Sequence, residues 1–164
     1  MKFAIYTIAG LLLIALTGIQ SGILSGEQPS DIGVTNGRLK VPSVTRNSVS
    51  SQAKLDPAHP QLEYAAIAPL NIKNGDAMAS LESLANILQE MPGVTLVEHQ
   101  PNYLYAQAQT RWLKFVDDLE FWVNAEDGVI EVRSASRLGR EDFGVNRERI
   151  EAIRSAYQES QIFK

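Results

Sequence analysis

The spacing of apolar side chains divides the chain into a greasy N-terminal run, an aperiodic stretch, and a region where strand and helix patterns alternate. After Lys2, residues Phe3 to Leu16 are mostly apolar and uncharged, and the run continues past Thr17 and Gly18 to Ile23 and Leu24. One positive charge ahead of such a run is the pattern of a secretory signal. About twenty mostly apolar residues also suffice for a membrane-spanning helix. No Ala-x-Ala-like cleavage site stands out, Ser21, Ser25 and Gly26 being only passable. Residues 1–25 are therefore either a signal peptide or an N-terminal membrane anchor. Both imply an exported protein, in the periplasm or anchored to the inner membrane facing it. Residues 26–60 are rich in Ser, Pro, Gly, Asn and Gln without apolar periodicity, as expected of a linker followed by an irregular arm laid on the domain.

Residues 61–160 carry the patterned part. Leu62 to Leu70, with the apolar Tyr64-Ala65-Ala66-Ile67-Ala68 closed by Pro69, reads as a strand. Met78, Leu81, Leu84, Ala85, Leu88 and Met91 recur at helical spacing, with Asn74 or Asp76 as cap and Pro92-Gly93 as stop. Val94–His99 and Tyr103–Gln109 read as strands separated by a turn; in the second, Leu104, Ala106 and Ala108 alternate with polar or aromatic residues. Trp112–Val123 and Gly128–Ser136 follow as a hairpin about Asn124–Asp127. Val145, Ile150, Ile153 and Tyr157 mark a C-terminal helix. The expected fold is α+β: an antiparallel sheet of about five strands, in the order β-α-β-β-β-β-α, with two helices on one face, preceded by an N-terminal apolar helix.

The hairpin register is expected to place Val123 opposite Gly128. Phe121 then faces Ile130, Leu119 faces Val132 and Asp117 faces Ser134 on one face. On the other, wetter face Glu120 meets Glu131 and Asp118 meets Arg133. A one-residue slip would set Phe121 against Glu131 and scramble both faces. The like-charge pair is the cost of this register, offset by Arg133 lying diagonal to Glu120.

A net charge of −4 gives no basic face for a phosphate backbone, so nucleic acid is not an expected partner. With no cysteine, disulfides, thiolate chemistry, zinc ribbons and lipidation at cysteine are excluded. His59 and His99 have no convincing ligand cluster around them, so neither a metal nor another cofactor is expected. No nucleophile elbow and no phosphate loop is present.

Polar chemistry gathers in two places. Asp117 shares the parity of Phe115, Leu119 and Phe121, and an acid on that face needs donors such as Ser134, Ser136 or an arginine from elsewhere. Three readings stay open for it: a structural buried acid, a bulge at Asp117-Asp118 facing water, or an acid that touches ligand. Asp118 and Arg133 are expected to form a cross-strand pair, which alone argues no function. The stretch from Arg133 to Arg147 runs off a strand, through a glycine-bearing loop, into a helix start. There Arg137, Arg140 and Arg147 are candidates to hold an anion near free backbone N–H groups. Alternatively, Asp142 or Asn146 caps the helix while Arg147, Glu151 and Arg154 form helix-surface pairs. The candidate ligand-binding set is Asp117, Asp118, Arg133, Ser134, Ser136, Arg137, Asp142, Asn146 and Arg147.

Phe115-Val116-Asp117-Asp118-Leu119-Glu120-Phe121 and the run RSASRLGREDFGVNRERIEAIR from Arg133 to Arg154 resemble the motifs of a family of uncharacterised proteins, domain of unknown function 1499. Asn47-Ser48-Val49-Ser50-Ser51-Gln52-Ala53 is similar to that family's N-terminal motif. The likeness spans about Leu39 to Tyr157. It implies a bacterial envelope protein or lipoprotein, or a plastid relative, and implies no activity. The family pattern carries two cysteines about a Pro-Asn pair before Val-Ser-Ser-Gln. In this chain Ser48 stands at the second cysteine, Val41-Pro42 near the first, and Arg46 at the proline.

The sheet-plus-helix layout, the aromatics Tyr103, Tyr105, Trp112 and Trp122, and the lack of a catalytic constellation favour a non-catalytic envelope domain. It would bind a partner protein or a small amphipathic or anionic ligand, with the membrane engaged through residues 1–25 if they are retained. The alternatives are a hydrolase-like enzyme using Asp117 with Arg133 or Arg137, and a membrane-anchored scaffold or assembly component.

Overall fold

The computed structural model describes residues 6–8, 10, 11, 14, 17, 18 and 20–160. The expected N-terminal apolar helix falls for the most part outside the described residues. Among those described, no helix is long and apolar enough to cross a membrane.

Six antiparallel strands form one sheet. They are β1 (Ser48–Ser50), β2 (Leu70–Asn71), β3 (Val94–Gln100), β4 (Tyr103–Gln109), β5 (Val116–Asn124) and β6 (Val129–Ser136). The order across the sheet is β1-β6-β5-β4-β3, and β2 also pairs with β6. The meander from β3 to β6 thus has short turns throughout. Its β6 edge is closed by two short strands from earlier in the chain, Ser48–Ser50 against Arg133–Ala135 and Leu70–Asn71 against Val129–Ile130.

Helices α1 (Ala77–Glu90) and α2 (Val145–Glu159) cover one face. Leu81, Leu84, Ala85 and Leu88 of α1 and Ile150, Ile153 and Tyr157 of α2 pack on Leu104, Ala106, Leu119, Phe121, Ile130 and Val132. Asp76 caps α1, its carboxylate accepting from the Ala79 amide at 2.9 Å. Asn74 makes no cap and sits in a left-handed turn. After Pro92, Gly93 adopts a φ of +76°, and a Cβ there would lie 2.7 Å from the Gln109 carbonyl oxygen. Only glycine allows the helix exit to approach the end of β4 so closely.

Four expectations are corrected. Leu62–Leu70 is not a strand: Leu62–Ala65 is a helical turn, Ala66 makes one parallel bridge to Ser50, and only Leu70–Asn71 forms a strand of the sheet. The carbonyls of this segment are satisfied by side chains instead of a ladder. Arg147 donates to the Tyr64 and Ala66 oxygens, and Arg154 to those of Ala68 and Pro69. The arm is not wholly irregular, because β1 lies within it; three residues of Ser-Val-Ser are too few to show alternation. The last hairpin begins its first strand at Val116, not Trp112, and its register is two residues from that expected. Asn124 pairs with Val129, Val123 with Ile130 and Phe121 with Val132. A two-residue shift keeps every side chain on its face and sets Arg133 directly opposite Glu120, removing the Glu120/Glu131 clash. Finally, the second face is not wet. Residues from the arm lie over it, with Leu39 and Ile32 packed on Tyr103, Tyr105 and Trp122.

Candidate functional site

The residues picked out in the sequence separate into three places. On the helix face, Asp117 is buried and pairs with Arg149 of α2, Nη2 to Oδ2 at 2.7 Å. The strand is unbroken there, so the bulge reading is overturned. The donor is the arginine from elsewhere that an acid on this face requires. Arg149 also donates to the Asn146 side-chain oxygen at 3.1 Å, and the same oxygen accepts from the Ser134 hydroxyl at 2.5 Å. The Asn146 amide nitrogen donates to Ser136 Oγ, to the Asn47 carbonyl and to Asp142 Oδ2. Ser134, Ser136, Asp117 and Asn146 are therefore one buried cross-link between β5, β6 and the first turn of α2.

Asp142 completes the helix start. Gly144 stands at the N-cap with a φ of +89°, and Asp142 accepts from the Gly144 amide at 3.0 Å and from the Asn146 amide at 3.0 Å. Tyr64 donates its hydroxyl to the same carboxylate. Burial opposes the charge on Asp142, yet the bonds from Tyr64, Gly144 and Asn146 outweigh it and hold the carboxyl below its ordinary value. Burial and the bond to Asp142 push the Tyr64 phenol up to about 12. The Gly144 and Asn146 amides at this helix start are thus taken by the chain's own carboxylate.

On the opposite face lie Asp118, Arg133 and Arg137. The expected Asp118–Arg133 pair does not form. Arg133 binds Glu120 at 2.9 Å, both fully buried, and Asp118 receives a fork from Arg137, Nη2 at 2.7 Å and Nε at 3.0 Å. Two tyrosines and the arm finish the layer. Tyr103 donates to Glu120 at 2.9 Å, Tyr105 to Asp118 at 2.6 Å, and the Gly33 amide to Glu120 at 2.8 Å. Burial, then the charge of Glu120, raises the Tyr103 phenol far above its ordinary range; burial and the bond to Asp118 raise Tyr105 to about 12. Arg137 is held more firmly protonated by Asp118. Asp117 and Arg137 consequently lie on opposite faces of the sheet, and no single site contains both.

The third place is open. Arg147, with Arg46, Pro60, Gln61, Glu63, Tyr64 and Ala66, lines a cleft of about 540 Å³. A neighbouring hollow of about 470 Å³ shares Arg46 and Tyr64 and adds Glu141, Phe143 and Gly144. Arg46 stacks over the Tyr64 ring at 4.8 Å and lies 3.7 Å from Glu141. Phe143, in a left-handed conformation, is 87% exposed. Arg147 is anchored by two backbone carbonyls and has no carboxylate partner among the described residues.

Arg46, Tyr64, Glu120 and Arg149 were not among the sequence candidates. Arg149 had a signal, since it falls one turn from Asn146 beside the buried stripe of Ile150 and Ile153. Tyr64 had none, being read as part of a strand. Among the described residues no group of three or more His, Asp or Glu is placed to hold a metal ion. The aromatics divide: Tyr103 and Tyr105 are buried under the arm, Trp122 is half-buried and Trp112 is exposed.

The model of a family described as "Protein of unknown function (DUF1499)" matches residues 38–157. No curated protein and no solved structure matches the chain.

Proposed function

This chain belongs to the DUF1499 family of proteins of unknown function, and we propose that its domain is a non-catalytic binding module of the cell envelope. It takes a small amphipathic anion in the cleft between Arg46, Tyr64 and Arg147. One observation carries the reading: a half-buried arginine, oriented by backbone carbonyls, lines an open cleft and, among the described residues, forms no ion pair, Glu63 of the same lining included. An anionic head group supplies that countercharge and reaches Arg46 as a second point. Phe143, at the rim of the adjoining hollow, offers surface to an apolar tail.

The acids speak against chemistry. Asp117, Asp118 and Glu120 are each engaged by an arginine, whereas a general acid or base must reach a substrate proton. A hydrolase built on Asp117 with Arg133 or Arg137 would also have to work through the sheet. The envelope part of the proposal rests on the uncharged run after Lys2.

The test is calorimetric titration with hexyl phosphate. Saturable binding is expected, weakened about tenfold (about 1.4 kcal/mol) by Arg46→Gln, which touches no buried bond. Absence of saturation, or affinity indifferent to Arg46→Gln and Phe143→Ser alike, overturns the cleft. Recovery of tagged protein in the cytosol after fractionation overturns the envelope assignment.

A further inference from the structure

One end of the sheet carries an apolar surface that the cleft does not use. Between β4 and β5 the chain turns through Thr110-Arg111-Trp112-Leu113-Lys114-Phe115, a stretch without a single acid. Trp112 is 72% exposed and Leu113 45%. The turn is well built: the Thr110 amide donates to the Phe115 carbonyl at 2.9 Å, the Phe115 amide to Thr110 Oγ1 at 3.0 Å, and Lys114 takes a φ of +60°. A fixed turn that presents Trp and Leu to solvent displays them at a cost the core does not require.

The loop after β6 reaches the same end, because the Arg137 amide donates to the Val116 carbonyl at 3.1 Å. It exposes Leu138 and, two residues on, Arg140. Arg111 stacks over the Trp112 ring, and neither it, Lys114 nor Arg140 forms an ion pair among the described residues. In a chain of net charge −4, this end is locally cationic.

Gln20, within the greasy N-terminal stretch, touches the domain at this spot. Gln20 donates to the Trp112 carbonyl at 3.5 Å, and Gly26 passes so close that a Cβ would lie 2.8 Å from the Arg137 Cβ and 3.0 Å from the Leu138 Cγ. Whatever solvates the run beyond Gln20 is therefore brought against Trp112, Leu113 and Leu138. Indole rings prefer the boundary between hydrocarbon and headgroups, and basic side chains there attract anionic lipid.

We propose that the Arg111–Lys114 turn, with Leu138 beside it, rests in the headgroup layer of an anionic phospholipid bilayer and fixes the domain on that surface. The occupant is the lipid surface itself. The inference stands apart from the cleft, which lies at Arg46 and Arg147 and shares no lining residue with this turn.

The experiment uses the full chain carrying Trp122→Phe, which leaves Trp112 as the only tryptophan. It is incorporated into vesicles of phosphatidylethanolamine and phosphatidylglycerol, with bromine placed at successive depths of the acyl chain. Trp112 emission is expected to be blue-shifted relative to detergent solution and quenched most by the shallowest bromines. Arg111→Glu with Lys114→Glu is expected to reduce the quenching to that in purely zwitterionic vesicles, with the circular dichroism melt unchanged. If the chain floats with the vesicles while Trp112 stays unquenched and open to aqueous iodide, the proposal is overturned. It is equally overturned if the chain does not associate with the vesicles, or if quenching ignores both lipid charge and the two substitutions.

Discussion

Asp117 and Asp118 are sequence neighbours whose carboxylates are held by different arginines on opposite faces of one sheet, Asp117 by Arg149 and Asp118 by Arg137. Each couples β5 to a different layer, the first to α2 and the second to the loop after β6. Neutralising either acid strands a guanidinium that is nearly buried. Asp117→Asn and Asp118→Asn are each expected to cost about 3 kcal/mol, lowering the melting temperature by on the order of 10 °C. Thermal melts followed by circular dichroism check this. A variant at Asp117 that melts like the parent would show that Arg149 is not held by that acid.

The Glu120–Arg133 pair is the more deeply buried of the arm-side contacts and carries extra partners. Glu120→Gln leaves Arg133 without a countercharge and is expected to cost about 3–5 kcal/mol. Replacing both residues with methionine removes the stranded charge but orphans the Gly33 amide and the Tyr103 hydroxyl, which both donate to Glu120. The double variant is therefore expected to be less damaged than Glu120→Gln yet still below the parent. Urea unfolding of the three proteins, with the parent as reference, reads the order directly.

Stability should fall at both extremes of pH at the Tyr64–Asp142 contact, where, against burial, bonds from Tyr64, Gly144 and Asn146 lower the carboxyl, and burial, then the bond to Asp142, raises the phenol. Asp142 titrates below its ordinary 3.8 when folded, so it contributes stability above that pH and loses it as pH falls through the folded value. Tyr64 is raised from 10.0 to about 12, so its contribution is complete below pH 10 and disappears as pH rises through about 12. Asp142→Asn is expected to flatten the acid limb and Tyr64→Phe the alkaline limb. Urea midpoints measured across pH separate the two; limbs left unchanged by the substitutions would show that these two groups do not carry the pH dependence.

Gly93→Ala is expected to destabilise by more than the ~1 kcal/mol that a left-handed backbone costs an alanine, because its Cβ would meet the rigid Gln109 carbonyl. Gly128→Ala, with a φ of +67° and open space around it, isolates the backbone contribution. Equal losses at the two positions would show that the helix exit can move away from β4.

Much of this architecture is legible in the sequence, because α1 and β4 each carry a long period of their own. Leu81, Leu84 and Leu88 recur at helical spacing, and Leu104, Ala106 and Ala108 alternate; both patterns arise within one element. The hairpin shows where legibility ends. Side-chain parity decides which face Asp117 and Asp118 take, but a shift of two residues leaves parity intact. The fit of Glu120 to Arg133 and the bonds of Asn124 to Asp127 and Glu131 accompany the register that forms. The strand read at Leu62–Leu70 fails for a related reason: arginines some eighty positions away claim its carbonyls. Arg46, Tyr64 and Arg147 likewise meet only through tertiary contacts between three distant segments.

The closure of the β6 edge by β1 and β2 has a consequence for how the molecule comes together. β3 to β6 form a ladder of neighbours joined by tight turns and need no distant segment to begin pairing. β1 and β2 are made long before the strand they dock on, and closing such large loops is entropically slow. Until they arrive, β6 presents bare amides and carbonyls that a second copy's strand can capture. The concentration dependence of refolding yield should therefore be governed by the earliest strands of the domain rather than by its central hairpin.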